Sequence, residues 1–140
     1  FRSTKLNAIL GIQKLPRLNG FIEKRKNNFS LFVNLIKKYE HLFYEIDNQS
    51  GNSNYAFPFI CKDPKIKNQL IKVFDENEIE HRPIVSGNLL KQPFLFNYDF
   101  GVKKKKYNVD IVNDNGLYIG NSQFVSDKDM NTLSKIINLI

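Results

Sequence analysis

Tryptophan is absent from this chain of 140 residues, and cysteine and methionine occur once each. The single Cys61 excludes an internal disulfide and fits a reducing compartment. There are two histidines, His41 and His81, and neither stands at metal-ligand spacing from a Cys or carboxylate, so no metal site is expected. No apolar run approaches the roughly 18 residues of a membrane span, which argues against a membrane partner. An Arg-rich, Ser-rich targeting segment is missing. A phosphate-cradling loop is missing too, because Gly116 to Gly120, GLYIG, lacks the lysine and the spacing of a P-loop.

The chain does have apolar mass. With 41% hydrophobic and 13% aromatic residues it can fill one core at this length. Its formal charge of +7 raises the question of nucleic acid. Four of those charges are consecutive, Lys103 to Lys106, in what reads as a loop before a helix. Most aromatics sit at core-like spacings and do not interleave with that run, whereas single-strand binders combine a basic groove with stacking platforms. No nucleic-acid partner is therefore expected. A basic, non-catalytic binding module is the rival reading from another class.

Ser3 and Thr4 precede Leu6, Ala8, Ile9, Leu10 and Ile12, an N-cap followed by an apolar helical face. Pro16 interrupts that helix and is acceptable in the first turn of a second one. Leu18, Ile22, Phe29, Phe32, Val33, Ile36 and Phe43 then recur at helical spacing, a stripe for core packing. Asp47 to Asn54 is a loop by composition. Tyr55 to Cys61 reads as a strand, with Pro58 marking an edge. Asp63-Pro64 caps a helix carrying Ile66, Leu70, Ile71 and Phe74, which Asn77 ends. Ile79 to Val85 is a second strand, Val109 to Val112 a helical turn, and Leu117 to Ile119 a third strand. Ser126 with Asp129 forms a capping box ahead of a last helix, Asp127 to Leu139. The order predicts an α+β fold, a small sheet covered by helices on at least one face.

One stretch stands out chemically. In His81 to Pro93, HRPIVSGNLLKQP, a β-prone run breaks into a Gly87-Asn88 turn and gathers Arg82, Asn88 and Gln92. Arg offers a planar fork to phosphate or carboxylate, and the amides donate and accept toward a polyhydroxylated ligand. An ordinary surface loop has the same composition, so the residues alone leave both readings open. His81 is either a ligand contact or a structural residue. Cys61 reads as a small buried hydrophobe, and His41 as a solvated or helix-capping side chain.

Two separated motifs carry a resemblance. At the amino terminus of this chain, Arg2, Thr4, Leu6, Ala8, Gly11, Gln13, Leu15 and Leu18, ahead of the Glu23-Lys24-Arg25 helix, resemble a pattern of the DegT/DnrJ/StrS family, from which Lys14 departs. Those enzymes are pyridoxal-phosphate sugar-nucleotide aminotransferases. The Arg82–Pro93 segment, R-P-x-x-x-G-N-x-x-x-Q-P, and the run Asn115 to Gln123, NGLYIGNSQ, look most like the family's 3-dehydratase branch, which makes 3-deoxysugars. A plain aminotransferase is the alternative.

The resemblance implies the small carboxy-terminal domain of a fold-type I pyridoxal-phosphate enzyme, preceded by a long helix. Residues 1–45 would lead out of a large domain and 46–140 would form the small one. Phe1 opens inside the family pattern, so the chain is read as a piece of a longer protein and as inactive alone. The implied cofactor is pyridoxal phosphate, in its pyridoxamine form for dehydration, bound mainly upstream. The implied substrate is a 4-keto-6-deoxyhexose nucleotide on the way to O-antigen or lipopolysaccharide, in a cytoplasmic homodimer. No catalytic residue is expected in this stretch. Substrate contacts are expected from Arg2, Arg82, Asn88 and Gln92, with His81, Asn121 and Gln123 as further candidates. A salt bridge at a helix start is the plainer reading of Arg2, and the turn before the last helix that of Asn121 and Gln123.

Overall fold

The computed structural model describes residues 4–47, 52–85, 87–95, 97–98 and 107–140. The expectations placed on Arg2, on the Lys103–Lys106 run and on the middle of the Asp47–Asn54 loop lie outside the described residues. Helix α1 (Lys5–Lys14) starts at Thr4, whose hydroxyl accepts from the Asn7 amide at 3.3 Å. A single 3-10 turn at Leu15–Arg17 carries Pro16, and α2 (Leu18–Lys37) follows. After β1 (Ala56–Ile60) comes α3 (Pro64–Glu76), capped by the Asp63 carboxylate on the Lys65 amide at 2.6 Å. The rest is β2 (His81–Pro83), α4 (Tyr107–Asn115), β3 (Gly116–Gly120) and α5 (Asp127–Ile137). Among the described residues no helix is long and apolar enough to cross a membrane.

The sheet is antiparallel in the order β1-β3-β2. Pro58, which has no N–H to donate, sits on the edge strand as its chemistry requires. Period-two alternation splits the strands between two faces. Phe57 and Phe59 on β1 and Leu117 and Ile119 on β3 are buried against the helices. They join Phe29, Phe32 and Ile36 of α2, Leu70 and Phe74 of α3, and Met130, Leu133 and Ile137 of α5 in one core. Phe59 is its hub, with its ring centroid 5.1 Å from that of Phe32, 5.4 Å from Phe43 and 5.5 Å from Phe74.

The structure shortens three expected elements. The apolar stripe through Phe43 breaks at Lys37, where α2 ends. The chain then turns, and Phe43 reaches the core through an antiparallel bridge to Cys61. The second strand keeps only His81–Pro83, because Pro83 has no N–H to extend the ladder. The last helix stops at Ile137, its C-cap Asn138 held by bonds to Ser134 and Ile136 carbonyls. Conversely, the turn expected at Val109 to Val112 is part of a nine-residue helix that runs directly into β3. The capping box is present, with Ser126 Oγ accepting from the Asp129 amide and Asp129 accepting from Ser126 N at 2.8 Å. That backbone N–H, aided by the Ser126 hydroxyl, holds the Asp129 carboxyl below its usual range.

Candidate functional site

The antiparallel register sets Pro58, Tyr118 and Arg82 side by side on the sheet face away from the phenylalanine core. Arg82 projects there with 65% of its side chain exposed, and its Nε donates to Glu80 Oε1 at 3.1 Å. An exposed ion pair of this kind contributes little to folding, about 0–1 kcal/mol. The guanidinium is therefore available to an incoming anion at small cost. Two hollows flank Tyr118. One, of about 500 Å³, is lined by Glu80, Arg82, Tyr118 and Gly120 among others. The other, of about 380 Å³, lies between Asp47, Asn54, Tyr55, Val85 and Tyr118.

The polar corner after β2 is tied to α4. Gly87 has φ +44°, and a Cβ there would overlap Asn113 Oδ1. That oxygen accepts from the Asn88 amide at 2.7 Å. Asn88 is buried, its Nδ2 donating to Asp110 Oδ1 at 2.9 Å and its Oδ1 accepting from the Leu90 amide at 3.0 Å. Next to it, Lys91 Nζ lies 3.1 Å from Asp110 and 3.2 Å from Asp114. Hydrogen bonds to Asp110 and Asp114 raise the lysine's pKa, while those from Asn113 and then Lys91 lower that of Asp114. Asn88 thus shapes the corner from within, and Gln92 lies half-buried one turn further on.

The remaining candidates are dispersed. His81 is on the opposite face of the sheet from Arg82, its Nε2 3.0 Å from Asp75 Oδ1 and its ring beside Phe74. Asn121 is buried at the end of β3, where its Nδ2 donates to the carbonyls of Arg25 at 3.0 Å and Asn54 at 2.8 Å. Gln123 is half-exposed in the turn before α5. His41 is exposed beyond the end of α2. Tyr118 and Tyr55, which line the outer face, were not among the residues singled out from the sequence. The available signal was the in-out alternation of Leu117, Tyr118 and Ile119, which turns Tyr118 away from the core.

A three-stranded antiparallel sheet packed on helices and entered through a long helix has the architecture of the carboxy-terminal third of fold-type I pyridoxal-phosphate enzymes. Residues 1–133 match the DegT/DnrJ/EryC1/StrS aminotransferase family, and the chain belongs to it. The GDP-4-keto-6-deoxy-D-mannose 3-dehydratase of Escherichia coli O55:H7 is 30% identical over 140 residues, 97% of this chain and 36% of that protein. The lipopolysaccharide biosynthesis protein RfbH of Salmonella typhimurium LT2 is 30% identical over 121 residues, 84% of this chain and 28% of that protein. Two solved structures of the dehydratase superpose with a TM-score of 0.78 at 30% identity, over 91% of this chain and 33% of theirs. One holds hydrated pyridoxal phosphate and the other, a mutant, holds GDP-perosamine. The chain thus spans about a third of the length of the relatives it matches.

The described residues do not by themselves fit pyridoxal phosphate. A lysine that forms an imine at neutral pH needs burial or a neighbouring charge that lowers its pKa. None of the described lysines is buried, and Lys91 is shifted upward. Among the described residues no cluster of His, Cys, Asp or Glu could hold a metal ion.

Proposed function

We propose that these 140 residues are the carboxy-terminal part of a pyridoxal-phosphate enzyme that removes the C3 hydroxyl of a 4-keto-6-deoxyhexose nucleotide in deoxysugar synthesis for lipopolysaccharide. In this reading residues 1–45 lead out of a larger cofactor-binding domain and 46–140 form the small domain. The protein works as a cytoplasmic homodimer. The observation that carries the reading is the Arg82–Pro93 corner, present with the R-P and G-N-x-x-x-Q-P pattern in a chain similar to 3-dehydratases along nearly its whole length. Within this stretch, Arg82 supplies the fork for the nucleotide's phosphates. Asn88 and Asp110 hold the corner in shape beside it, and Gln92 follows in the same corner. The group that forms the imine lies outside this stretch, so no chemical step is assigned to its residues. A sugar-nucleotide aminotransferase is the second reading, favoured by the family's own description.

Product analysis of the full-length protein with pyridoxal phosphate, glutamate and GDP-4-keto-6-deoxymannose tests the reading. A 3-deoxy sugar supports it; an amino sugar selects the second reading. In the same assay Arg82→Ala is expected to lower kcat/KM by about ten- to a hundredfold, the scale of one charged hydrogen-bond fork, with cofactor loading unchanged. A fall in melting temperature with unchanged turnover would make Arg82 structural instead.

A further inference from the structure

Acidic residues crowd the link between α3 and β2: Asp75, Glu76, Glu78 and Glu80, in the run FDENEIEHRP that ends in the strand. Three cations answer them, Lys72 at 3.8 Å from Glu76, Arg82 on Glu80 and His81 on Asp75. His81 Nε2 lies 3.0 Å from Asp75 Oδ1, and because a carboxylate only accepts, Nε2 carries the proton in this contact. Asp75 stands in the last turn of α3, which has no basic residue of its own, so a charged His81 is the cation at the negative end of that helix. The strand has few other holds. It is three residues long, it lies at the edge of the sheet on β3, and the chain enters it through the left-handed Glu78. His81 thus fastens the start of β2 to α3 across that turn. Successive side chains of a strand point to opposite faces, so the stretch of backbone that His81 fastens on the inner face directs Arg82 on the outer one.

We infer that His81 is a positioning residue, whose contact with Asp75 aims the Arg82 guanidinium at the substrate's phosphates and holds it most firmly when the imidazole is protonated. The inference rests on the sugar-nucleotide reading of Arg82 and deepens it with a dependence on pH. Histidine is the side chain whose charge changes between about pH 5 and 8. When charged, His81 makes an ion pair and a charge-assisted hydrogen bond; when neutral, its N–H still donates, at roughly half the strength. The other groups that meet the ring, Phe74 of α3 and Ile119 across the sheet, are apolar, and Glu80 beside it in sequence is turned to Arg82. A looser His81 frees the start of β2, and a fork that must meet two oxygens at once loses its alignment. Glu80, which accepts from Arg82 Nε at 3.1 Å, is the competitor that a well-placed phosphate displaces.

Consumption of GDP-4-keto-6-deoxymannose by the full-length protein, followed from pH 6 to pH 8, tests this. The readout is the ratio of wild-type to variant kcat/KM, in which ionisations common to both proteins cancel. His81→Gln keeps a neutral amide donor in place of the Nε2–H. The ratio is expected to be about two- to fivefold at pH 6, the scale of a part-exposed ion pair, and to fall to about one at pH 8. At saturating substrate kcat should be the same in both proteins. Asp75→Asn, at an exposed position of α3, should give the same pattern. In an Arg82→Ala background neither change should alter kcat/KM at either pH, because a positioning residue acts only through the group it positions. A ratio that does not change with pH, or effects of His81→Gln and Arg82→Ala that simply multiply, would overturn the inference and leave Arg82 as a substrate contact. If Arg82→Ala alone leaves kcat/KM unchanged, the reading of Arg82 falls and the inference with it.

Discussion

Asn121 shows how an amide in a polar turn can hold buried backbone together. In sequence it lies in a polar turn; in the structure its Nδ2 holds the carbonyls of Arg25 and Asn54 together, and Asn28 Nδ2 approaches its Oδ1 at 3.4 Å. Asn121→Ala would strand those buried acceptors. It is expected to cost about 2 kcal/mol, measured as a lower urea midpoint at unchanged slope. Gln123→Ala, two residues on, should stay within about 0.5 kcal/mol. An Asn121→Ala protein of full stability but impaired turnover would return the residue to the ligand. Cys61 presents the opposite problem, a group that is often reactive made inert. Burial pushes its thiol up from 9.0 to about 12, against a smaller opposing pull from Lys67. At pH 8 only about one thiolate in ten thousand remains, so a thiol reagent should label the protein only after denaturation. The linkage has a definite sign. Above the ordinary value of 9.0 the unfolded chain releases the proton first, so stability falls as pH rises toward 12. Labelling of the native protein at the rate of a free thiol would show the site to be open.

Between α3 and β2 the chain makes a sharp stop whose residue is the wrong one for its backbone. Glu78 has φ +56°, and the Ile79 amide reaches back to the Phe74 carbonyl at 2.9 Å, the hydrogen bond of a Schellman ending. Glycine is the usual residue there, since a Cβ in the left-handed region costs about 1 kcal/mol. Glu78→Gly is expected to raise stability by roughly 0.5–1 kcal/mol in thermal unfolding, and a loss would mean that the Glu78 side chain has a role that its backbone does not show. The sequence could announce that α3 ends at Asn77 but not how, because nothing marks a glutamate as left-handed. The same division holds across the fold. Proline, cap and period placed α1, the start of α2, α3, α5 and the edge strand β1 to within a few residues, because those signals are local. The length of α2, the three-residue β2 and the start of α4 depend on which residues meet across the sheet. The candidate site follows the same rule. Arg82 and Asn88 were legible as one continuous stretch, whereas the pairing of Arg82 with Tyr118 exists only through the β2–β3 register.

At the scale of the whole molecule, the ends of the chain behave differently. Residues from Phe29 onward share the core, but no residue of α1 is buried. Leu6, Ile9 and Leu10 on α1 are about half exposed or more, and Ile12 and Leu15 are about two-thirds exposed. A ten-residue helix is below the roughly 12–15 residues at which isolated helices become stable in water. A persistent α1 therefore calls for an apolar cover, which the proposed larger domain would provide. The 140 residues expressed alone should lack that cover. Hydrogen exchange is then expected to show Lys5–Lys14 unprotected while β1 and β3 exchange slowly. Light scattering should show mass rising with concentration as the bare apolar face finds copies of itself. Replacing Leu10 and Ile12 by lysine should restore a monomer without changing the protection of the sheet. The two measurements together decide the matter. A monomer at high concentration with α1 as protected as the core would mean that the helix is covered within these 140 residues, and the assignment of α1 to an interface with a larger domain would be wrong.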